Sequence, residues 1–381
     1  MAHTRLLSIY VWGGPSAAGV DRSTTTRARS SSAMPSTSWA AVGHPATTMA
    51  RSAAASSTAS RVEVCNRARV RVVVTHPVPP PAVDLLRERG YDVAIGSSED
   101  AYPPEELAEL VSGADAILAL LIDRIDAEVL EAAGPQLRVV SNFAVGHENV
   151  DLGSAASRGV KIGNTPDVLT QAVAEQTFAL ILAVARRIVE GDRIVRERRF
   201  RRWGPSFLLG MELRGKTLLI VGLGRIGSAV ARIARDGFGM QVETLGRDGD
   251  LLAALPEADV VTLHVPLTPE TQHLIAAREL EAMKRDAILV NTSRGPVVDE
   301  AALVEALRAG DIAGAGLDVY EHEPELAPGL SELDNVVFTP HAASATREAR
   351  TAMSRLSADN LIAALEGREM PSEVVAPKDS V

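Results

Sequence analysis

The chain has 381 residues, 46% of them apolar and 23% charged, with a formal charge of -10 and a pI near 5.4. That length and apolar fraction suit two packed domains and exclude a largely disordered chain, while the acidic balance argues against non-specific binding to nucleic acid or anionic membrane. A single cysteine, Cys65, excludes an intrachain disulfide framework and fits a reducing compartment.

Residues 1–68 are crowded with Ser, Thr, Ala and Arg, hold only Asp21 and Glu63 as acids, and show no sustained apolar period. A disordered leader is expected there. An Arg-rich, acid-poor segment fits a transit peptide, a dispensable tail or a start codon assigned too far upstream; the poor amphipathic pattern favours the last two. The apolar piece Leu6 to Trp12 is too short for a secretory signal.

From Val70 onward, short β-branched runs each precede a helical stretch: VRVVVTHP, YDVAIG, DAILALL, LRVVSNF and VKIGNTP. A long helical pattern follows from Asp167 towards Glu190. Its longest apolar run, Phe178 to Val184, is far short of the roughly 20 residues of a membrane span. The arginine-rich run Arg186 to Arg202 is interleaved with Glu190, Asp192 and Glu197, and reads as a solvated helix face or subunit contact. A second series of strands comes next: KTLLIVGLG, MQVETL, ADVVTLHVP, DAILVNTS, AGAGLDVY and NVVFTPH. A last helix is expected over Ala345 to Leu365. Strands alternating with helices predict parallel sheets covered on both faces, and two such series predict two doubly wound α/β domains.

The strand LLIVG runs into Gly222, Leu223, Gly224, Arg225, Ile226 and Gly227 and then into a helical pattern, the context that a dinucleotide fingerprint requires. Gly222 permits the tight turn, Gly224 admits the pyrophosphate, Gly227 lets helix and strand pack, and the helix N-terminus offers free N–H groups to phosphate. At the tip of the next strand, where an acid would bind the ribose of NAD, the chain reads Leu245, Gly246, Arg247, Asp248. Arg247 favours the 2′-phosphate of NADP(H); Asp248, one position on, is the rival that would restore NAD(H). Val265 and Pro266 are expected to line the same groove.

Three strand ends then deliver chemistry to one carboxyl edge: Arg294 in LVNTSRGPVVDE, Asp318, Glu321 and Glu323 in LDVYEHEP, and His341 in VVFTPHAASAT. An imidazole held by a carboxylate, as His341 by Glu323, suits proton transfer, and a guanidinium such as Arg294 suits anchoring a carboxylate and polarising a carbonyl. The histidines His147, His264, His273 and His322 lack such company, and no spacing suggests a metal site.

These motifs, with SNFAVGHENVD, NTPDVLTQAVAEQTFALILAVAR and RRWGP, resemble the D-2-hydroxyacid dehydrogenase family, most closely its glyoxylate/hydroxypyruvate reductase branch, over roughly Val70 to Pro371. The resemblance implies a Rossmann domain (166–343) inserted in a flavodoxin-like substrate domain (69–165 and 344–372), with a tail over 373–381 and bending near residues 165 and 343. It implies catalytic Arg294, Glu323 and His341, substrate contacts from Val145 and Gly146, cofactor contacts from Thr292 and Asp318, and a Trp203 that reaches a neighbouring subunit in a cytoplasmic homodimer. Small keto acids (glyoxylate, hydroxypyruvate) are the expected substrates, with Leu120, Leu121 and Trp203 narrowing the pocket. A reductase of larger keto acids such as phenylpyruvate, and a non-catalytic NAD(H)-sensing protein on the same fold, are the alternatives. Two departures stand out. The connection after Arg247 is shorter than in the family, and Asp167 stands where the family often has Gly.

Overall fold

A computed structural model describes residues 69–375. The expected leader, and all of the tail beyond residue 375, lie outside the described residues. In chain order the elements are β1 (Arg71–Val74), α1 (Ala82–Glu88), β2 (Asp92–Ile95), α2 (Pro104–Val111), β3 (Ala116–Ala119), α3 (Ala127–Ala133), β4 (Val139–Asn142), α4 (Leu152–Ser157) and β5 (Lys161–Gly163). There follow α5 (Thr170–Ala185), α6 (Ile188–Arg196), β6 (Thr217–Val221), α7 (Arg225–Phe238), β7 (Gln241–Leu245), α8 (Leu251–Ala254), β8 (Val260–Leu263), α9 (Ala277–Ala282) and β9 (Ile288–Asn291). The last are α10 (Glu300–Ala309), β10 (Gly314–Leu317), β11 (Val336–Phe338), α11 (Arg347–Leu365) and β12 (Glu373–Val374).

Two six-stranded sheets result. The first has the order β12-β5-β4-β3-β1-β2, parallel apart from β12; the order 2-1-3-4-5 within it is the flavodoxin-like winding. The second runs β11-β10-β9-β8-β6-β7, parallel throughout. It matches the Rossmann order without the strand that would lie outside β7, because α8, a single turn, and a 3₁₀ turn are all that separate Leu245 from Val260. Strand β7 is consequently a largely exposed edge.

Helices cover both faces, so the strands read as continuous apolar runs, and their period of two sends alternate residues to opposite cores. Val72 and Val74 join one core and Val73 the other; Leu219 and Val221 part in the same way from Leu218 and Ile220. The C-terminal helix α11 places Met353, Leu361 and Ile362 against Val72, Val74 and Leu118, so this late helix completes the first lobe. Among the described residues no helix is long and apolar enough to cross a membrane.

The structure differs from the sequence expectation in two places. The long helix expected towards Glu190 ends at Ala185 and restarts as α6 after Arg187, which takes the left-handed φ of 52°. The returning chain causes the break: Met211 N–H donates to the Ala185 carbonyl at 2.7 Å, and Gly210 packs so close that a Cβ there would lie 2.2 Å from that oxygen. Residues 373–374, expected in the tail, instead pair antiparallel with Gly163 and Ile162. The exposed edge of β5 offers unpaired N–H and C=O groups, and Glu373 and Val374 occupy them.

Candidate active site

Strand β6 ends in the turn that the fingerprint requires. Gly222 has φ 97°, and a Cβ there would sit 2.6 Å from the His264 carbonyl oxygen. A Cβ on Gly227 would come within 2.3 Å of the Gly222 oxygen and 3.1 Å of Ile220 Cγ2, so the helix lies on the strand only because Gly227 has none. On Gly224 a Cβ would meet nothing within 4 Å. Of the three glycines, this is the one that faces open space. No side chain caps α7, the first bond closed there is Ser228 N–H to Gly224 O at 2.9 Å, and the N–H groups of Arg225, Ile226 and Gly227 donate to no described group. These residues fit a dinucleotide pyrophosphate.

Around this turn, Ile226 packs against cores of both lobes, Val265 lies on the second lobe's core, and the Pro266 oxygen accepts from Thr271 Oγ1 at 2.7 Å. His264 is held neutral: desolvation pushes its pKa down to about 4, and Nε2 bonds Thr262 Oγ1 at 3.0 Å. Arg225 pairs with Asp167 at 2.5 Å, and Asp167 keeps a left-handed φ of 67°. Arg247 sits exposed at the tip of β7, and its charge helps to lower the Glu270 carboxyl, after the hydrogen bond from Thr268 and that from backbone.

The catalytic candidates come from the next three strand ends. At the end of β9, Asn291 bends the chain: Oδ1 accepts from Ser293 N and Oγ at 3.0 and 2.8 Å, while Nδ2 donates to the Arg294 oxygen at 2.8 Å. Arg294 therefore leaves the sheet edge in a fixed direction. After β11, His341 takes φ 49°, and its N–H is shared between the oxygens of Asp318 (2.8 Å) and Thr339 (3.0 Å). Asp318, fully buried, accepts from Thr339 Oγ1 (2.5 Å), Ala342 N (2.8 Å) and Ala343 N (2.9 Å). What the structure shows of Asp318 is thus a brace beneath the His341 turn. Thr292, 8% exposed, bonds Thr177 Oγ1 at 3.0 Å; since Thr177 already donates to Val173, Thr292 is the donor.

His341 Nδ1 and Glu323 Oε2 are 2.8 Å apart, and Glu323 Oε1 accepts from Tyr320 N at 3.0 Å. Burial pushes the Glu323 carboxyl up, but the hydrogen bond and charge of His341, the Tyr320 N–H and the charge of Arg294 more than offset it, so its pKa lies below the ordinary value. With Nδ1 taken by Glu323, Nε2 is the ring atom left to the crevice.

The first lobe contributes the loop after β4. The N–H groups of Val145 and Gly146 donate to no described group, while the Gly146 oxygen accepts from Asn142 Nδ2 at 2.8 Å and the Val145 oxygen from Asn164 Nδ2 at 2.8 Å. Arg294 lies directly on this turn: a Cβ on Gly146 would fall 1.6 Å from Arg294 Nη2. Free N–H groups beside a guanidinium are the donors that an anion requires. The structure thus brings Arg294, Glu323, His341, Val145 and Gly146 to one crevice. It adds Glu148, which sequence reasoning missed: Oε1 is 3.2 Å from Arg294 Nε, and Oε2 accepts from Nη2 at 3.3 Å. Trp203 lies apart on a surface segment, 78% exposed. A broad cleft lined by Lys216, Asp286 and Asn335 sits at the amino ends of the second sheet's strands, away from this chemistry.

Two open parallel sheets with glycine turn, His–Glu pair and arginine at the facing carboxyl edges define a two-lobed, dinucleotide-dependent α/β protein. Residues 178–343 match the family model described as D-isomer specific 2-hydroxyacid dehydrogenase, NAD binding domain. A glyoxylate reductase of Thermofilum pendens is 48% identical over 81% of this chain and 95% of its own length, and one of Pyrococcus furiosus is 47% identical over 80% and 95%. Among solved structures, a protein of Thermus thermophilus is 48% identical with TM-score 0.76, covering 80% of this chain and 100% of that one. An NADPH-dependent glyoxylate/hydroxypyruvate reductase of Sinorhizobium meliloti, solved with NADP and malonate, is 35% identical with TM-score 0.71, covering 80% and 97%. The chain belongs to the D-2-hydroxyacid dehydrogenase family.

Proposed function

We propose that the protein reduces glyoxylate or hydroxypyruvate to the 2-hydroxy acid with NADPH. The observation that carries this reading is the His341–Glu323 pair beside Arg294 and the free N–H groups of Val145 and Gly146. The relatives named above as glyoxylate reductases support the substrate class.

A reduced nicotinamide supplies a hydride when bound. Gly222, Gly224, Gly227 and the bare first turn of α7 hold the pyrophosphate, with Arg225, Ile226, Val265, Pro266, Thr292 and Asp318 shaping the groove and its floor. The substrate carboxylate rests on the Val145 and Gly146 N–H groups and on Arg294. Arg294 also draws charge towards the carbonyl oxygen, which favours the alkoxide-like transition state. His341, as imidazolium, gives its Nε2 proton to that oxygen, and Glu323 holds the ring through Nδ1 while the charge is on it. In the oxidative direction His341 Nε2 takes the proton back.

Arg247 supports NADPH over NADH, since the β7 tip has a guanidinium where an acid would repel the 2′-phosphate. The partner most consistent with the surface is a second copy of the chain. Val195, Phe200, Trp203 and Leu209, 53 to 78% exposed, fall in one segment that runs from α6 into the loop behind it. So concentrated an apolar surface is what a subunit interface covers, and Trp203 would then meet the other subunit.

The test is turnover of glyoxylate, hydroxypyruvate and phenylpyruvate with NADPH and with NADH, followed by loss of reduced-nicotinamide absorbance. The reading expects kcat/KM highest for the two small acids with NADPH. Tight cofactor binding with no turnover of any keto acid would instead identify a nucleotide-sensing protein.

A further inference from the structure

Arg294 has five N–H donors in a planar fork, and the structure shows which of them are engaged. Nη1 donates to the Ser293 oxygen at 2.7 Å. The edge formed by Nε and Nη2 faces Glu148, at 3.2 Å from Oε1 and 3.3 Å from Oε2. That side-on approach leaves the other edge, between Nη1 and Nη2, without a carboxylate. Glu148 comes from the first lobe and Arg294 from the second, and the pair is partly open to solvent, with side chains 34% and 23% exposed.

The chain at Glu148 is anchored through its neighbour. Glu148 directly precedes Asn149, whose Nδ2 donates to the oxygens of Leu120 (3.1 Å) and Asp123 (2.8 Å) and whose Oδ1 accepts from Asn142 Nδ2 at 2.9 Å. Asn142 also holds the Gly146 oxygen, so the Val145–Gly146 turn and Asn149, next to Glu148, share one polar lattice. That lattice is pinned in turn by Asp123, which bonds Thr75 Oγ1 (2.5 Å), His76 Nε2 (2.8 Å) and Leu120 N (3.1 Å).

We propose that Glu148 is a positioning residue: it fixes the side-on edge of Arg294, turns the opposite edge towards the keto acid, and shares the guanidinium's charge with the substrate carboxylate. The proposal rests on the reading of this site as a keto-acid reductase. Its physical content is twofold. Orientation by Glu148 raises turnover, because a guanidinium that is already aimed need not be ordered in the transition state. Its negative charge lowers affinity for anions, because two carboxylates then compete for one cation. Removing the charge and keeping the shape should therefore move kcat and anion affinity in opposite senses.

Glu148→Gln separates these effects. Oxalate, a planar dicarboxylate that cannot be reduced, is titrated by calorimetry onto wild-type protein and variant, each saturated with NADPH. Steady-state glyoxylate kinetics and thermal unfolding are measured alongside. We expect oxalate to bind the variant about three- to ten-fold more tightly, the effect of losing one unit of like charge a few ångströms away, and kcat to fall about tenfold or more. Glu148→Asp, which keeps the charge on a shorter arm, should lower kcat without the gain in oxalate affinity. The KM for NADPH and the unfolding temperature should stay at wild-type values in both. Oxalate affinity and kcat unchanged in Glu148→Gln would overturn the proposal. Absence of wild-type turnover would strike the reductase reading instead, while the oxalate titration would still decide the role of Glu148.

Discussion

Two glycines of the β6 turn lie three residues apart and should fail in different ways. Gly224→Ala adds a methyl that meets nothing within 4 Å, on a residue whose φ of -86° and ψ of -159° suit an L side chain. The fold should be untouched, so any loss must come from a ligand that uses the open space. Gly227→Ala places its methyl 2.3 Å from the Gly222 oxygen and 3.1 Å from Ile220 Cγ2. An ordinary contact would need roughly another ångström, which pries α7 from β6; overpacking of this kind costs about 1–3 kcal/mol. The assay pairs chemical denaturation without cofactor with calorimetric titration of NADPH. Gly224→Ala should unfold with wild-type stability yet bind NADPH at least about tenfold more weakly, or about 1.4 kcal/mol. Gly227→Ala should lose both stability and affinity. A Gly224→Ala protein that binds NADPH as the wild type does would refute the placement of the pyrophosphate against this turn.

The remaining predictions concern charge and assembly. His264, with a pKa pushed down to about 4 by desolvation, stays neutral in the fold while the unfolded chain protonates near the ordinary 6.5. A depressed histidine stabilises above the unfolded value and loses that contribution as pH falls, so acidification from pH 7.5 to pH 5 should cost about 2 kcal/mol through this group. His264→Asn should flatten that part of the stability profile in denaturation at the two pH values; an unchanged slope would remove His264 as its origin. Arg247→Ala should raise the KM for NADPH about tenfold or more and leave that for NADH alone, and equal effects on both cofactors would contradict the 2′-phosphate role. The wild-type chain should sediment as a dimer and Phe200→Asp with Trp203→Asp as a monomer, whereas a monomeric wild type would leave that apolar surface without its second copy.

Much of this architecture was legible locally. Runs such as VRVVV and TLLIV announce buried parallel strands because both faces must be apolar, and the three glycines announce a turn because each spacing answers a separate steric need. His341 and Glu323 were legible as a pair, since both follow strands that end at one sheet edge. What escaped depended on partners distant in sequence. Nothing between Leu182 and Arg187 forbids a longer helix; Gly210 and Met211 end it by arriving at the Ala185 carbonyl. The strand at Glu373 exists because β5 has a free edge. Glu148 was invisible because it meets Arg294 across the two lobes, although its place two residues after Gly146, close to a turn already singled out, was a signal within reach. The internal bonds of Asp318 to Thr339, Ala342 and Ala343, and of Thr292 to Thr177, likewise join residues far apart in sequence, so no local pattern announces them.

Replacing His341 with glutamine and following glyoxylate reduction at saturating NADPH is the most direct measurement of the central claim, that Nε2 of this ring gives the carbonyl oxygen its proton. Glutamine keeps a hydrogen-bonding group near Glu323 but cannot act as the acid, so kcat should fall about 100- to 10,000-fold with calorimetric NADPH affinity unchanged. A variant that turns over at the wild-type rate would show that the proton comes from elsewhere.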